Sequence, residues 1–169
     1  MKQWAALTDD DYKLQIERLE QWLGYVYIDT PELTAITDTM TRTVRANAYS
    51  PPGAKNIVAV SGRNLAGKST LAKRWARSIY RELITDSPLD DRGRPVRRPA
   101  HGWEVDFCPV VFLNMGAGAK MAAFDRLLLS FFGLPTDGVV GELTVSAVKA
   151  IQRHRTKVLL IDDAHFIKT

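Results

Sequence analysis

Ser61-Gly62-Arg63-Asn64-Leu65-Ala66-Gly67-Lys68-Ser69-Thr70 is the stretch on which the reading of this chain turns. Gly62, Gly67, Lys68 and Ser69 stand at the four defining positions of G-x-x-x-x-G-K-[ST], the pattern of a phosphate-binding loop. The chemistry sets the spacing. Two glycines let the backbone curl until successive N–H groups face an anion, a concavity that a Cβ would obstruct. Lys68 is then the charge that meets the β- and γ-phosphates, and Ser69 offers its hydroxyl to Mg²⁺. A helix starting here adds its positive N-terminal end. The run Gly62, Arg63, Asn64, Leu65, Ala66, Gly67, Lys68, Ser69 and Thr70 is therefore read as a cradle for the phosphates of ATP, with Lys68 also acting on the reacting γ-phosphate.

Both flanks agree with this reading. Asn56-Ile57-Val58-Ala59-Val60 is short, apolar and β-branched, and is expected to be a buried parallel strand. After the loop, Leu71, Ala72, Trp75, Ala76, Ile79 and Leu83 recur at helical spacing among lysines and arginines. Strand, glycine loop and helix in succession argue against a glycine turn with a chance lysine.

The chain has 169 residues, one domain's worth, with 46% hydrophobic and 25% charged residues and a net charge of +4. The mild positive balance suits a nucleic-acid partner without requiring one. Cys108 is the only cysteine, so no internal disulfide is possible, and a reducing, cytoplasmic setting is expected. It opens an apolar run and reads as a small core residue. No stretch has the length of a membrane span or the pattern of a signal peptide. His101, His154 and His165 show no metal-ligand spacing and read as surface or capping residues, so no zinc site is expected.

Residues 1–50 read as a helical lead-in and 51–169 as the core that carries the phosphate loop. Thr8-Asp9-Asp10-Asp11 is a capped helix start, followed by Tyr12, Ile16, Leu19 and Leu23 on one face and Gly24 as a stop. Thr30-Pro31-Glu32 starts a second helix with the stripe Leu33, Ile36, Met40 and Val44. Between Asp86 and Asp106 prolines and glycines break the periodicity, predicting a loop with a short hairpin. Its cluster Arg92, Arg94, Arg97 and Arg98 is a candidate DNA or partner contact, as is Lys120. Pro109 to Asn114 is a second buried strand, followed by a small Gly116–Ala119 loop. A helix comes next with Met121, Phe124, Leu127, Leu128 and Phe131 expected in the core. A further helix near Leu143 to Arg155 turns Leu143, Ala147, Ala150 and Ile151 inward.

Lys157-Val158-Leu159-Leu160-Ile161-Asp162-Asp163 is a third buried strand ending in two carboxylates, the form of a Walker B segment. The strand holds an acid rigidly beside the phosphate loop. Asp162 is assigned to Mg²⁺ or its water shell, and Asp163 to orienting or deprotonating the attacking water. The resulting fold class is α/β, a P-loop NTPase of three α/β/α layers around a mostly parallel sheet.

Three further features resemble the TniB/TnsC-type ATPases of transposons, members of the AAA+ superfamily. They are Tyr27-Ile28-Asp29-Thr30-Pro31 leading into a helix, Pro109-Val110-Val111-Phe112-Leu113 with a later Phe132-Gly133-Leu134-Pro135, and Leu159-Leu160-Ile161-Asp162-Asp163-Ala164-His165. The likeness runs from about Tyr25 to Thr169. It implies an ATP-dependent regulator that binds DNA, assembles with copies of itself, and recruits or activates a transposase. It also implies that Tyr27 to Pro31 lies near the adenine. Related readings are a signalling (STAND) or helicase-loader ATPase, and a nucleotide-dependent interaction module without turnover. Asp163 stands where the family more often has glutamate. The family continues beyond this point into a sensor-1 strand, an arginine finger and a helical lid. The expectation is therefore a chain truncated after the Walker B strand, with Val58–Val60 and Leu159–Ile161 each lacking a neighbour.

Overall fold

The computed structural model describes residues 8–98, 103–116 and 120–164. His101, His165, most of the Gly116–Ala119 loop and the first seven residues lie outside that set. The fold is mixed α/β. In chain order it comprises α1 (Asp9–Tyr25), α2 (Pro31–Tyr49), α3 (Lys68–Ile84), β1 (Val96–Arg97), β2 (Val105–Asp106), β3 (Val110–Asn114), α4 (Met121–Phe131), α5 (Val140–Arg153) and β4 (Val158–Asp162). One compact unit ends at Ala35 and a second begins at Ile36, so the division falls within α2.

In the first unit the predicted caps form. The Asp11 N–H donates to Thr8 Oγ1 (3.3 Å), while the Thr8 hydroxyl donates to Asp11 Oδ2 (2.6 Å). At α2, Leu33 N–H donates to Thr30 Oγ1 (3.3 Å), with Pro31 at the position that needs no donor. The Glu32 carboxyl is held below its ordinary range by its own backbone N–H and by the Thr30 hydroxyl.

The second unit is built on β3 and β4, which pair in parallel from Val110 opposite Val158 to Asn114 opposite Asp162. Alternation along β3 sends Val111 and Leu113 to one face, where α4 and α5 cover them with Leu128, Leu129, Leu143, Ala147 and Ala150. Val110, with Val158 and Leu160 of β4, faces the other side. There Trp75 and Ile79 of α3 and Met40 of α2 close the core, with Ile36 and Val44 packed alongside. Helices thus cover both faces of the pair. The Trp75 indole N–H donates to Thr41 Oγ1 (3.0 Å) and ties α3 to α2.

Two strand expectations are corrected. Asn56–Val60 forms no strand and pairs with no described strand, and Ile57 is 89% exposed. An apolar β-branched run becomes a buried strand only when a neighbour supplies its ladder and its cover. Likewise β4 is buried on one face only. Leu159 and Ile161 lie 36% and 37% exposed, because α4 and α5 are centred over β3.

The inward face of α4 is also rotated from expectation. Leu128 and Leu129 are buried, whereas Leu127 and Phe131 are exposed. The Met121 side chain lies outside the described residues. Asp125, buried at 4% exposure, shares this inward face, and its Oδ2 accepts the Thr144 hydroxyl of α5 at 2.6 Å, a polar staple between the two helices. His154 also departs from a surface role: it caps α5, stacks on Phe132 (4.5 Å between centroids), and its Nδ1 lies 3.1 Å from the Asp106 carbonyl.

The Asp86–Asp106 insert does contain a hairpin, with Val96 opposite Asp106 and Arg97 opposite Val105. Asp90 organises its turn, accepting from the Arg92 and Arg94 N–H groups at 2.9 and 2.7 Å. The backbone and side chain of Arg94 hold the Asp90 carboxyl below its ordinary range.

The staple is open to test. Thr144→Val leaves the buried Asp125 carboxylate without its hydroxyl donor and should lower stability by about 1–3 kcal/mol. Thr144→Ser should retain most of it; urea unfolding of the two variants makes the comparison.

Candidate functional site

The phosphate-loop residues are brought together at the first turn of α3. Gly67 precedes the helix at φ 77°, and the Leu71 N–H donates to its carbonyl (2.9 Å), so the helical ladder starts from Gly67. Gly67 is required by this left-handed angle and not by space, since a Cβ there would meet nothing within 4 Å. Leu65 also has positive φ (63°) and projects fully into solvent. The Ala66 N–H donates to the Arg63 carbonyl (3.3 Å), closing the turn between the glycines. Asn64 lies at the tip of that turn, and Thr70 in the first turn of α3.

Lys68 bends back over this loop. Its Nζ donates to the Gly62 carbonyl (3.0 Å) and the Arg63 carbonyl (2.8 Å). The ammonium is thus held at the loop by backbone oxygens that an anion could replace. A Cβ on Gly62 would reach Lys68 Cδ at 3.8 Å, an ordinary contact, so Gly62 is tolerant where Gly67 is not.

The position of the second half follows from helix direction. Val110, at the start of β3, shares an open groove with Tyr80, Arg81 and Ile84 of α3. Two residues further along the strand, the Phe112 ring lies 5.6 Å from Lys73 Nζ. Contacts move backward along α3 as they move forward along β3, so helix and strand are antiparallel. Lys68 is five residues before Lys73, a rise of roughly 7 Å. Asn114 is two residues past Phe112, about 6–7 Å along the strand. The start of α3 and the strand end that carries Asn114 and its partner Asp162 therefore lie in the same direction from the Lys73–Phe112 contact.

Asp162 is half-buried there, and its Oδ1 accepts the Asp163 N–H at 3.1 Å. Its carbonyl accepts the Met115 N–H (3.1 Å), which extends the pairing one step past β3. Asp163 has left the strand. Its φ of 55° is left-handed, a conformation aspartate tolerates better than most residues. Ser69, in the first turn of α3, is half-buried. A hydroxyl and a carboxylate are a sparse donor set that fits Mg²⁺, which keeps several waters and takes further oxygens from phosphates. Among the described residues, no group of three or more His, Cys, Asp or Glu side chains could hold a metal without such help. Asn114 is the site residue that sequence reading left unassigned. Its place opposite Asp162 was not legible without the register.

The insert's cations are mostly engaged. Arg94 pairs with Asp90 (2.7 Å) and Asp106 (3.6 Å), Arg98 with Glu104 (2.7 Å), and Arg97 covers the Phe107 ring at 4.4 Å. Arg92 and Lys120 are exposed. Cys108 is half-buried, with burial raising its thiol above the ordinary range, in keeping with a packing role. No helix among the described residues is long and apolar enough to cross a membrane.

No protein-family model matches this sequence, and no curated protein matches it significantly.

The contrast between the two glycines gives a prediction. Gly67→Ala should cost about 1–2 kcal/mol, the penalty of a left-handed L-residue. Gly62→Ala should leave the unfolding midpoint near that of the parent. Equal losses in denaturant titrations would contradict the backbone geometry.

Proposed function

We propose that the chain is an ATP- and Mg²⁺-binding module of the P-loop NTPase class, of AAA+ type, that regulates DNA transposition. In this reading it binds DNA in the cytoplasm, assembles with copies of itself, and recruits or activates a transposase. The observation that carries the nucleotide reading is Lys68. Its ammonium lies on the carbonyls of a glycine loop at a helix N-terminus. An incoming β,γ-phosphate offers that ammonium stronger, charge-assisted partners than two carbonyls. The helix dipole favours the same anion. Ser69 and Asp162 would hold Mg²⁺, which neutralises phosphate charge when bound. The transposition reading rests on the resemblance of the Thr30-Pro31 lead-in and the Asp162-Asp163-Ala164-His165 ending.

A second reading, a nucleotide-dependent interaction module without turnover, is favoured by Asp163. Its left-handed backbone lies outside the ladder, so the sheet does not aim its carboxylate at a water. A signalling or helicase-loader ATPase differs in lacking DNA-stimulated hydrolysis as its hallmark.

Lys68→Ala is expected to weaken a fluorescent ATP analogue at least tenfold, as the loss of one charge-assisted contact of about 1.5–3 kcal/mol implies. Ser69→Ala and Asp162→Asn should chiefly reduce the Mg²⁺ dependence, and Asp163→Asn should leave affinity intact while abolishing hydrolysis. Unchanged affinity in Lys68→Ala would end the nucleotide reading.

The proposed DNA contacts are Arg92, Arg94, Arg97, Arg98 and Lys120. Exposed ion pairs such as Arg98–Glu104 are worth about 0–1 kcal/mol, so exchanging them for DNA phosphates is cheap. Duplex retention with ATP present should fall steeply with salt, and each neutralised contact should flatten the slope by about one unit. A flat salt response in filter binding would remove DNA from the proposal.

A further inference from the structure

Outside the phosphate-loop end, α3 carries a basic face that the nucleotide reading does not use. Arg77 and Arg81 are one turn apart, both exposed, and neither guanidinium forms an ion pair among the described residues. Lys73 continues the row one turn earlier. Like charges at this spacing repel one another. The only acid of α3, Glu82, is taken by Arg45 (3.2 Å). Arg77 and Arg81 are thus open to an external anion.

Beneath the two arginines runs an open groove of about 420 Å³, floored by Ala76, Tyr80, Ile84 and Val110. Burial raises the Tyr80 hydroxyl above its ordinary range, with Cys108 adding to the shift, so it remains a donor. The groove follows β3 on the side away from β4. Trp75 and Ile79 take the β4 side of the helix, while Ala76 and Tyr80 lie over Val110. Among the described residues β3 pairs with β4 alone, so its other edge has no partner strand, although the Val110 carbonyl there accepts the Cys108 thiol at 3.5 Å.

We propose that this groove takes an extended acidic segment of a partner protein, added as a strand to the free edge of β3. The spacings agree. Arg77 and Arg81 are about 6 Å apart along the helix, and alternate residues of a strand are about 6.6 Å apart. Two carboxylates separated by one residue therefore meet the two guanidiniums. An apolar side chain two residues beyond them falls on the floor between Tyr80, Ile84 and Val110. Strand addition supplies affinity through backbone hydrogen bonds, and the alternate side chains supply selectivity. A nucleic acid would satisfy the arginines. It would leave the apolar floor unfilled and bring no peptide N–H to the strand's carbonyls.

The test uses the full chain without nucleotide and a fluorescein-labelled ten-residue peptide. The peptide has glutamates two residues apart and a leucine two residues further on, and binding is read by anisotropy. The double reversal R77E/R81E lies on exposed positions and should weaken this peptide at least tenfold. The same variant should gain a peptide with lysines in place of the glutamates. Lys68→Ala should bind the acidic peptide like the parent, which keeps this outcome separate from that of the nucleotide reading. The proposal is overturned by no binding to the parent, by unchanged affinity in the reversed variant, or by a ten-nucleotide oligothymidylate displacing the peptide. Self-association of the parent that the reversal abolishes would also overturn it, by placing a second copy in the groove.

Discussion

The parallel pairing of β3 and β4 is the constraint on which the rest of this structure depends. Its register puts Val111 and Leu113 under α4 and α5, and Val158 and Leu160 under α3 and α2. A one-residue slip would exchange these faces and expose both cores. The same register sets Asn114 beside Asp162 at the strand ends. Because α3 runs against the strands, its first turn lies toward that end too. Open α/β sheets place their ligands beyond the strand carboxyl ends, the end that Asn114 and Asp162 occupy here.

The loop at the start of α3 is held by short-range forces. Gly67 supplies the left-handed angle, Ala66 closes a turn on Arg63, and Lys68 bridges two carbonyls. No strand ladder fixes the segment that leads into it, since Asn56–Val60 pairs with no described strand. That segment is instead anchored at its base, where Asn47 bonds both the N–H and the carbonyl of Asn56 at 3.1 and 2.8 Å. The side-chain amide at the end of α2 thus does, at one residue, what a neighbouring strand would do along the whole run.

Charge is distributed unevenly between the two basic features. In the insert, acids lie close enough to neutralise the arginines, and Asp90 serves both Arg94 and the turn backbone. On α3, Arg77 and Arg81 form no ion pair among the described residues, and the helix's one acid, Glu82, is taken by Arg45. Arg94 and Arg98 of the insert thus carry acid partners of their own, whereas Arg77 and Arg81 of α3 do not among the described residues.

Short-range physics made much of this legible in the sequence alone. The caps at Thr8 and Thr30, the amphipathic stripe of α3, the glycine loop and the strand ends at Asn114 and Asp162 depend on neighbours within a few residues. Tertiary structure decided what distant residues must supply. Asn56–Val60 has strand composition yet lacks a ladder, because pairing needs a second backbone and composition cannot provide one. Leu127 and Phe131 are as apolar as Leu128, and only packing against β3 and α5 decided that Leu128 and Leu129 turn inward. The direction in which α3 passes over β3 likewise had no signature in either motif, because it is a relation between elements that only packing establishes.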